Sequence, residues 1–440
     1  MRVPVILGLC LVASGISQTV SNFTVLSSYN RPGTSQSSSG VWGWTSKSGK
    51  EYALLTSRTP GGVSVVDIST PATPKLVKFY PAGHNSAWFE VNGYQDVIYM
   101  VSQEASMGLF ILDMSPLNAE PAGLPVATAN NTLGFSTGHT LFCDGSVTPP
   151  LLWVTPGMQS MAVLNITNPM KPVLIKAFDP AGASHDFFSR EGVAFHSTAG
   201  STTNIWDVKD PANKKDLSTI SGLSVSHNAW PSDDGKTLFT TEESVGKTLK
   251  AWNITDLTKP VKIAGGDWIG KTGVIAHNCY VTGNTLWVAH YSAGLWAVDI
   301  TNPGAMKTLG FHKPSSSTAT YGGTWGAYPF FKSGLVIHGD DEQGLFVLKP
   351  TWVTGIKGGY IASRFSISPL NKREIQLSLP NSGEYAMSIF TVAGDKIYSH
   401  SAIGNSGIQK VSLSEGLSNG NYLIKLSQNS HSFNGSIQIH

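Results

Sequence analysis

Short apolar runs, four to eight residues long and separated by polar turns, recur along most of the chain. They are rich in Val, Ile, Leu and Trp, which at this length favours strands over helices. Pairs such as Asn92-Gly93, Asp234-Gly235 and Ser333-Gly334 are typical of the turns that join two strands of a hairpin. The pattern therefore predicts an all-β chain of short antiparallel strands.

The runs form a repeated unit. Seven segments resemble one another, and five of them begin at a histidine, as in "GHTLFCDGS" and "SHNAWPSDDG". The third run of a unit commonly ends in Asp or Asn before a proline-bearing turn, as in "GVSVVDISTP" and "GLWAVDITNP". An Asx turn followed by proline ends the strand ladder at that point. Four strands in each of seven units predict a seven-bladed β-propeller.

The last unit stops after "GLFVLKP" and has no fourth strand of its own. The segment "NFTVLSSYN", which starts at Asn22, reads as a fourth strand that precedes any unit. We expect it to pair with the last unit and close the ring, because closure removes exposed strand edges.

The two ends of the chain differ from the repeats. Residues 1–17 contain Arg2, an apolar stretch and a small residue at Ser17, a pattern typical of a secretory signal peptide. The propeller is predicted at 18–350, a linker at 351–362, and a C-terminal domain at 363–440. The C-terminal domain alternates strands with Gly, Asn and Ser turns, which predicts a small, immunoglobulin-like β-sandwich.

Charge and cysteine content narrow the partners. The net charge is only +2, which argues against nucleic acid as a partner. No window after the N-terminus is apolar for long enough to cross a bilayer, so no transmembrane segment is expected. Cys143 and Cys279 are too few for a disulfide-stabilised domain, and both are predicted to be small buried residues.

The motifs resemble two known families. "VVDIS" and "AVDIT" with their downstream prolines resemble LVIVD-repeat propellers, and "TWGAYPFFKSGLVIHGDDEQGLFVL" is similar to choice-of-anchor B proteins. This resemblance covers about Ser21 to Pro350 and implies a fold, without an activity. The stretches "LSLPNSGEYAMSIFTVAGDKIYS" and "LSEGLSNGNYLIKLSQ" resemble the sorting domain of the type IX secretion system. That resemblance implies a Gram-negative bacterium, the type IX machinery as a partner, and a secreted or cell-surface protein.

The propeller geometry predicts where side chains meet. In a four-stranded meander, the starts of first strands and the ends of second strands share one mouth of the central channel. The starts carry His84, His139, His185, His227, His277, Trp42 and Trp325. The ends carry Glu104, His196, Glu242, Glu243, His290 and Asp340.

Three interpretations of these residues remain open. Imidazoles and carboxylates are ligands for Zn, Cu, Fe or Mn, so a divalent metal is possible as cofactor. The same residues could bind a polar ligand. Alternatively, each histidine could hydrogen-bond to the next blade, and this structural interpretation predicts equal losses of stability at all five positions. We favour it from the sequence, because repetition exceeds what one metal needs and a wide channel separates opposite histidines.

The sequence accordingly leaves the function open among three classes. The first is a secreted or surface propeller that binds a glycan, a peptide or another surface protein at the channel mouth. The second is a metal-dependent oxidase or hydrolase, so whether the protein is an enzyme is undecided. The third is a structural component of the cell envelope.

Overall fold

The computed structural model describes residues 19–31, 38–104, 107–130, 133, 135–155, 161–179, 184–314, 318–352, 366–379, 383–392, 394–404, 407–413, 415–428 and 431–439. The predicted signal peptide lies outside these ranges, as does residue 18 and most of the predicted linker. The described residues form strands and one short 3-10 helix, Ser115–Asn118, with no α-helix among them. No helix in these ranges is long and apolar enough to cross a membrane.

Residues 19–352 form seven antiparallel sheets, numbered here in the order of their first strands. Sheet 1 contains β3 (Val41–Thr45), β4 (Glu51–Arg58), β5 (Gly61–Asp67) and β6 (Lys75–Pro81). Sheet 2 contains β7 (Phe89–Tyr94), β8 (Val97–Ser102), β9 (Leu109–Asp113) and β10 (Val126–Asn130). Sheet 3 contains β11 (Thr140–Asp144), β12 (Leu151–Thr155), β13 (Met161–Asn165) and β14 (Val173–Phe178). Sheet 4 contains β15 (Phe187–Arg190), β16 (Val193–Ser197), β17 (Thr203–Asp207) and β18 (Lys215–Ile220).

The remaining three sheets include the two N-terminal strands. Sheet 5 contains β19 (Ser226–Pro231), β20 (Thr237–Glu242), β21 (Leu249–Asn253) and β22 (Val261–Trp268). Sheet 6 contains β23 (Asn278–Thr282), β24 (Thr285–Ala289), β25 (Leu295–Asp299), β26 (Lys307–Lys313) and β1 (Thr19–Ser21). Sheet 7 contains β27 (Thr324–Tyr328), β28 (Val336–Asp340), β29 (Gly344–Pro350) and β2 (Phe23–Tyr29).

Strand β2 pairs antiparallel with β29, with Phe23 opposite Pro350 and Tyr29 opposite Leu345. This pairing is the one that the N-terminal pattern predicts. Strand β1 adds a contact that the sequence did not predict, because it pairs with β26 and places Thr19 opposite Lys313. The N-terminal segment therefore joins two neighbouring sheets.

The first strands touch one another in order, from β3 through β7, β11, β15, β19 and β23 to β27, which contacts β3 again. Aromatic side chains near the middle of these strands pack across the sheet boundaries. Phe188 lies 4.7 Å from both Phe142 and Trp230, measured between ring centroids, and Trp230 lies 5.3 Å from Tyr280. The core thus runs between neighbouring sheets, and the sheets are arranged as repeated propeller-like blades.

The ends of third strands confirm the predicted Asx turns. The carboxylate of Asp67 accepts a hydrogen bond from the backbone N–H of Ser69 at 2.8 Å, and Asn165 accepts one from Thr167 at the same distance. The predicted turn at Asn92-Gly93 is wrong, because both residues lie inside β7 and the turn follows Tyr94. A Cβ on Gly93 would lie 3.0 Å from Nε1 of Trp42, so this glycine provides space for packing.

The C-terminal residues form two further sheets. One contains β30 (Ser366–Asn371), β31 (Glu374–Leu379) and β34 (Gly407–Ser412). The other contains β33 (Lys396–Gly404), β32 (Gly383–Thr391), β35 (Gly420–Gln428) and β36 (His431–Ile439). Leu377, Met387 and Leu426 belong to one cluster of buried residues, which is separate from the clusters of the seven sheets.

Candidate functional site

Hydrogen bonds between neighbouring sheets define which residues occupy equivalent positions. Three threonine hydroxyls donate to a carbonyl of the next first strand: Thr56 to Phe89 at 3.4 Å, Thr155 to His185 at 2.6 Å, and Thr241 to His277 at 2.6 Å. Strand pairing extends this position to every sheet. Its occupants are Ser39, Phe89, His139, His185, His227, His277 and Trp325.

Two of the predicted residues lie elsewhere. Phe89 occupies the place expected for His84, because residues 85–88 intervene before β7 begins, and Nε2 of His84 lies 3.2 Å from the hydroxyl of Ser102. Ser39 occupies the place expected for Trp42, which packs further along β3 against Tyr328. The repeat therefore supplies four equivalent histidines, and sequence similarity alone overstated the number.

These four histidines belong to consecutive sheets and form a row of touching rings. Ring centroids are 4.3 Å apart between His139 and His185, 4.0 Å between His185 and His227, and 4.1 Å between His227 and His277. His139 also lowers the pKa of both His227 and His277. We call this group the histidine cluster. These contacts join histidines of consecutive sheets, and the separation of opposite histidines stays a prediction.

Several ring nitrogens of the histidine cluster lack a protein partner. Both nitrogens of His227 and Nδ1 of His185 are buried without a hydrogen bond. The carbonyl of His277 lies near the His227 ring, and the carbonyl of His227 lies near the His185 ring. Each raises the pKa of the ring that it approaches, although neither contact meets hydrogen-bonding geometry. Nδ1 of His277 is satisfied, because it lies 2.7 Å from the carbonyl of Trp325, and this contact leaves Nε2 as the lone-pair nitrogen.

Burial keeps the histidine cluster neutral. It lowers the pKa of His139 to about 4 and that of His277 to about 3. It lowers the pKa values of His185 and His227 well below the usual range, and the neighbouring imidazoles add to both shifts. Each neutral ring therefore has one lone-pair nitrogen at pH 7, which is the form that binds metals. In His139 that nitrogen is Nδ1, which accepts a hydrogen bond from the amide of Gln103, so this lone pair is used within the protein.

A carboxylate joins the histidine cluster from the end of a second strand. Oε2 of Glu243 lies 3.9 Å from Nε2 of His227, and the hydroxyl of Tyr291 donates to Oε1 of the same carboxylate. Tyr291 also stacks on His277 at 4.4 Å and has a positive φ of 35°. A buried aromatic residue in this strained conformation is held by its surroundings, so Tyr291 positions Glu243.

The separations within the group are compatible with metal coordination. Ligand atoms of His185, His227 and Glu243 all lie within 4.8 Å of one another. Nε2 of His139 is 2.9 Å from Nε2 of His185. Two ligands of a tetrahedral ion at about 2.0–2.1 Å are about 3.3 Å apart, so small rotations of these rings would surround one ion.

A narrow cavity adjoins the histidine cluster. It has a volume of about 50 Å³ and is lined by all four histidines, by Trp42 and Trp325, and by polar side chains one residue further along the first strands. Those polar side chains include Glu90, Asp186 and Asn228. Burial raises the pKa of Glu90 to about 8 and that of Asp186 to about 6. A buried water needs about 10–15 Å³ by this measure, so the cavity holds only a few waters.

The other predicted site residues have protein partners or lie outside the cavity lining. His196 contacts the hydroxyl of Ser184 at 2.9 Å, and His290 contacts the carbonyl of Ile275 at 2.8 Å. The carboxylates make local contacts: Glu242 pairs with Lys250, and Asp340 accepts hydrogen bonds from Glu342 and Gln343. Glu104 is exposed. Of the adjacent pair Glu242-Glu243, only Glu243 faces the histidine cluster.

Sequence reasoning missed Tyr291 and Glu90 as site residues. Glu90 and Asp186 both follow the equivalent position by one residue, so the corrected repeat register identifies them. Gln103 was also missed, and its amide nitrogen lies 2.7 Å from Nδ1 of His139. No comparable repeat signal marks Tyr291, because its sheet neighbours at this position differ in chemistry.

The comparisons with known proteins agree with the repeated sheets. The LVIVD repeat family matches residues 59–81 and 274–311, which contain β5 and β6 in the first match and β23 to β25 in the second. A search of the curated proteins finds no match to this chain. The chain therefore carries LVIVD repeats at two places.

Proposed function

We propose that residues 18–350 form a seven-bladed β-propeller of the choice-of-anchor B type, followed by a C-terminal β-sandwich. The ordered contacts of seven first strands support the propeller, and the shared buried cluster of two C-terminal sheets supports the sandwich.

The sorting-domain motifs support export by the type IX secretion machinery of a Gram-negative bacterium. Deleting residues 363–440 should then leave folded protein in the periplasm, and surface display of the truncated protein would refute this export route.

We further propose that the histidine cluster and Glu243 bind a transition-metal ion, making the channel mouth a metal-dependent binding or catalytic site. The observation that carries this proposal is His227, whose two ring nitrogens are buried without a partner between two other imidazoles. Leaving buried polar atoms unsatisfied costs about 1–3 kcal/mol each. A metal ion would satisfy one nitrogen of His227, whereas the nearby carbonyl of His277 can serve at most the other.

The ligand set indicates the class of metal. Neutral imidazoles with one carboxylate suit Zn, Cu, Fe or Mn, and hard cations such as Ca²⁺ prefer oxygen ligands. Glu243 is held by the Tyr291 hydroxyl, and His277 by the carbonyl of Trp325. Outer partners of this kind orient metal ligands and fix the tautomer of a histidine.

The size of the cavity limits what the site can accept. A volume of about 50 Å³ admits a few waters or a small group beside the metal. Pockets that enclose drug-sized ligands are about 300–1,000 Å³. A glycan, peptide or surface protein would therefore contact the rim, with at most one small group entering the cavity.

The test is direct metal binding by the purified protein. After chelation and dialysis, the wild type should take up one equivalent of Co²⁺ with a visible absorption band, and Zn²⁺ should displace it. His227→Gln and Glu243→Gln should weaken Co²⁺ binding at least 10-fold, because each removes a ligand.

Matched controls separate ligation from general damage. His290→Gln changes a buried histidine outside the cluster, and Glu242→Gln changes the neighbouring acid that pairs with Lys250. Both should retain the Co²⁺ band if they fold. Absence of any bound metal in the wild type, or equal weakening in the controls, would overturn the metal centre.

A further inference from the structure

Arg58 occupies the rim of the same site. It lies two residues beyond Thr56, and Glu243 lies two residues beyond Thr241, so the two side chains are repeat-equivalent. The equivalent residue in sheet 6 is Tyr291, two residues beyond Ala289. Glu243 and Tyr291 both contact the histidine cluster. The repeat therefore places the side chain of Arg58 at the same level of the channel mouth.

The guanidinium of Arg58 is poorly satisfied. Its Nε is buried without a hydrogen-bond partner, and its Nη1 lies 3.9 Å from the carboxylate of Asp341, too far for a hydrogen bond. Its other contact is with the face of Trp325, with Cζ 5.2 Å from the ring centroid. Among the described residues, none accepts a hydrogen bond from this guanidinium, although it offers five N–H donors.

Arg58 is also electrostatically close to the histidine cluster. Its positive charge lowers the pKa of His277, and burial lowers the pKa of Arg58 itself. A partly desolvated guanidinium gains more from an anion than an exposed one does. Trp325, which lies beneath Arg58, is also 4.6 Å from His277, so an anion on Arg58 would lie beside the cluster.

Arg190 is an arginine of this protein whose guanidinium hydrogen-bonds to the protein, and it serves as a comparison for Arg58. It lies at the end of a first strand, its Nη2 donates to the carbonyl of Ser232 at 2.8 Å, and its Cζ lies 5.7 Å from the ring of Phe188. Both arginines contact an aromatic ring, but only Arg190 makes a backbone hydrogen bond. Of these two arginines, only Arg58 has a buried N–H without an acceptor.

We propose that Arg58 binds the carboxylate of a small organic acid at the rim of the cavity. The rest of this acid would then lie beside the metal centre, as the molecule on which that centre acts. The planar fork of a guanidinium matches a carboxylate with two parallel hydrogen bonds. Arg58 does not line the narrow cavity, but Trp325 beneath it does, so the acid would lie at the edge of the cavity. The ligand's role rests on the proposed metal centre, whereas carboxylate binding by Arg58 can be measured without metal.

Fluoroacetate and its uncharged analogue fluoroacetamide are suitable probes. Their binding is measured by ¹⁹F NMR line broadening, with metal-free and with Zn²⁺-loaded protein. Wild type should bind fluoroacetate in both states and more tightly with Zn²⁺, and should bind fluoroacetamide at least 10-fold more weakly. Arg58→Gln should weaken fluoroacetate binding at least 10-fold in both states. Arg58→Lys should retain part of it, and Arg190→Gln should match wild type.

The outcomes distinguish the two proposals. Arg58-dependent binding of fluoroacetate that is indifferent to Zn²⁺ supports the carboxylate site and contradicts a metal centre beside it. Equal binding by wild type and Arg58→Gln, or equal binding of the two probes, overturns the carboxylate site whether or not Zn²⁺ binds. If Arg58→Gln does not fold, Arg58→Lys is the deciding variant. It keeps the positive charge but lacks the planar guanidinium, so fluoroacetate binding equal to that of wild type would overturn the bidentate contact.

Discussion

Two groups of buried histidines in this protein invite comparison. In the histidine cluster, His227 and His277 are buried and His139 and His185 are half-buried; a second, fully buried group lies within or between sheets and contains His196, His290, His312 and His338. Burial lowers the pKa in both groups, to about 4 for His139 in the first and for His290 in the second. Burial and neutrality therefore do not distinguish them.

What differs is the use of the ring nitrogens. Both nitrogens of His290 are satisfied, by the carbonyl of Ile275 at 2.8 Å and the backbone N–H of Lys271 at 3.1 Å. His312 and His338 share a contact of 2.9 Å. His227 has no such partner on either nitrogen. Unsatisfied nitrogens, rather than burial or repetition, therefore mark His185 and His227 as the histidines most available for ligation.

The largest difference should appear on adding metal. At free Zn²⁺ about 1,000-fold above the dissociation constant, binding should stabilise the wild type by about 4 kcal/mol. His227→Gln should lose this gain, whereas His290→Gln should keep it from its own lower baseline. Calorimetric melting with and without Zn²⁺ measures the stabilisation of each variant. An equal Zn²⁺ response in the two variants would contradict the distinction between the two groups of histidines.

Acid should weaken the metal-free protein. The pKa of His139 is about 4 in the folded chain, whereas an unfolded histidine has about 6.5. As pH falls below 6.5 the unfolded chain takes up protons that the folded chain does not, so stability falls by up to about 1.4 kcal/mol per pH unit for each such histidine. Denaturant titrations from pH 7 to 4.5 should show a shallower decline in His139→Phe, and an unchanged slope would contradict the assignment.

Replacing a ring by a similar apolar one should have opposite effects in the two groups. In metal-free protein, His290→Phe leaves a carbonyl and an N–H unpaired and should cost about 1–3 kcal/mol. His227→Phe removes two unsatisfied nitrogens and should be neutral or stabilising. Chemical denaturation of the two variants gives the comparison, and a similar loss in both would favour the structural interpretation of the cluster.

The smallest effect is expected at His84. This residue is partly exposed, and its recorded hydrogen bond is the 3.2 Å contact with Ser102. His84→Ala should change stability by less than about 0.5 kcal/mol and leave metal binding intact, as surface substitutions usually do. A loss as large as that at His139 would restore the equal pattern that sequence similarity predicted.

Much of the local structure is predictable because strand ends follow short-range chemistry. Asp67 and Asn165 form Asx turns whatever their sheets do, and Gly235 has the positive φ of 71° that its turn needs. Gly93 failed as a turn signal because its missing side chain is required by contact with Trp42 in the neighbouring sheet. Contacts between residues that are distant in sequence cannot be predicted from a local sequence pattern.

The site was predicted only in part, because contacts between distant residues also determine its geometry. The shared position of His139, His185, His227 and His277 follows from the repeat, but their ring contacts depend on the distance between consecutive first strands. That distance is set by aromatic packing across sheets, such as Phe188 against Trp230. Arg58 is found only after the register is corrected by hydrogen bonds, because its residue type differs from those of its equivalents.

The pairing of β2 with β29 also has a consequence for how the chain reaches its native state. Phe23 and Pro350 are opposite each other although almost the whole ring separates them in sequence. Contacts of such high sequence separation carry a large loop-closure entropy and slow folding. Strand β2 therefore stays unpaired until β29 has been synthesised, so completion of sheet 7 is a late step in folding.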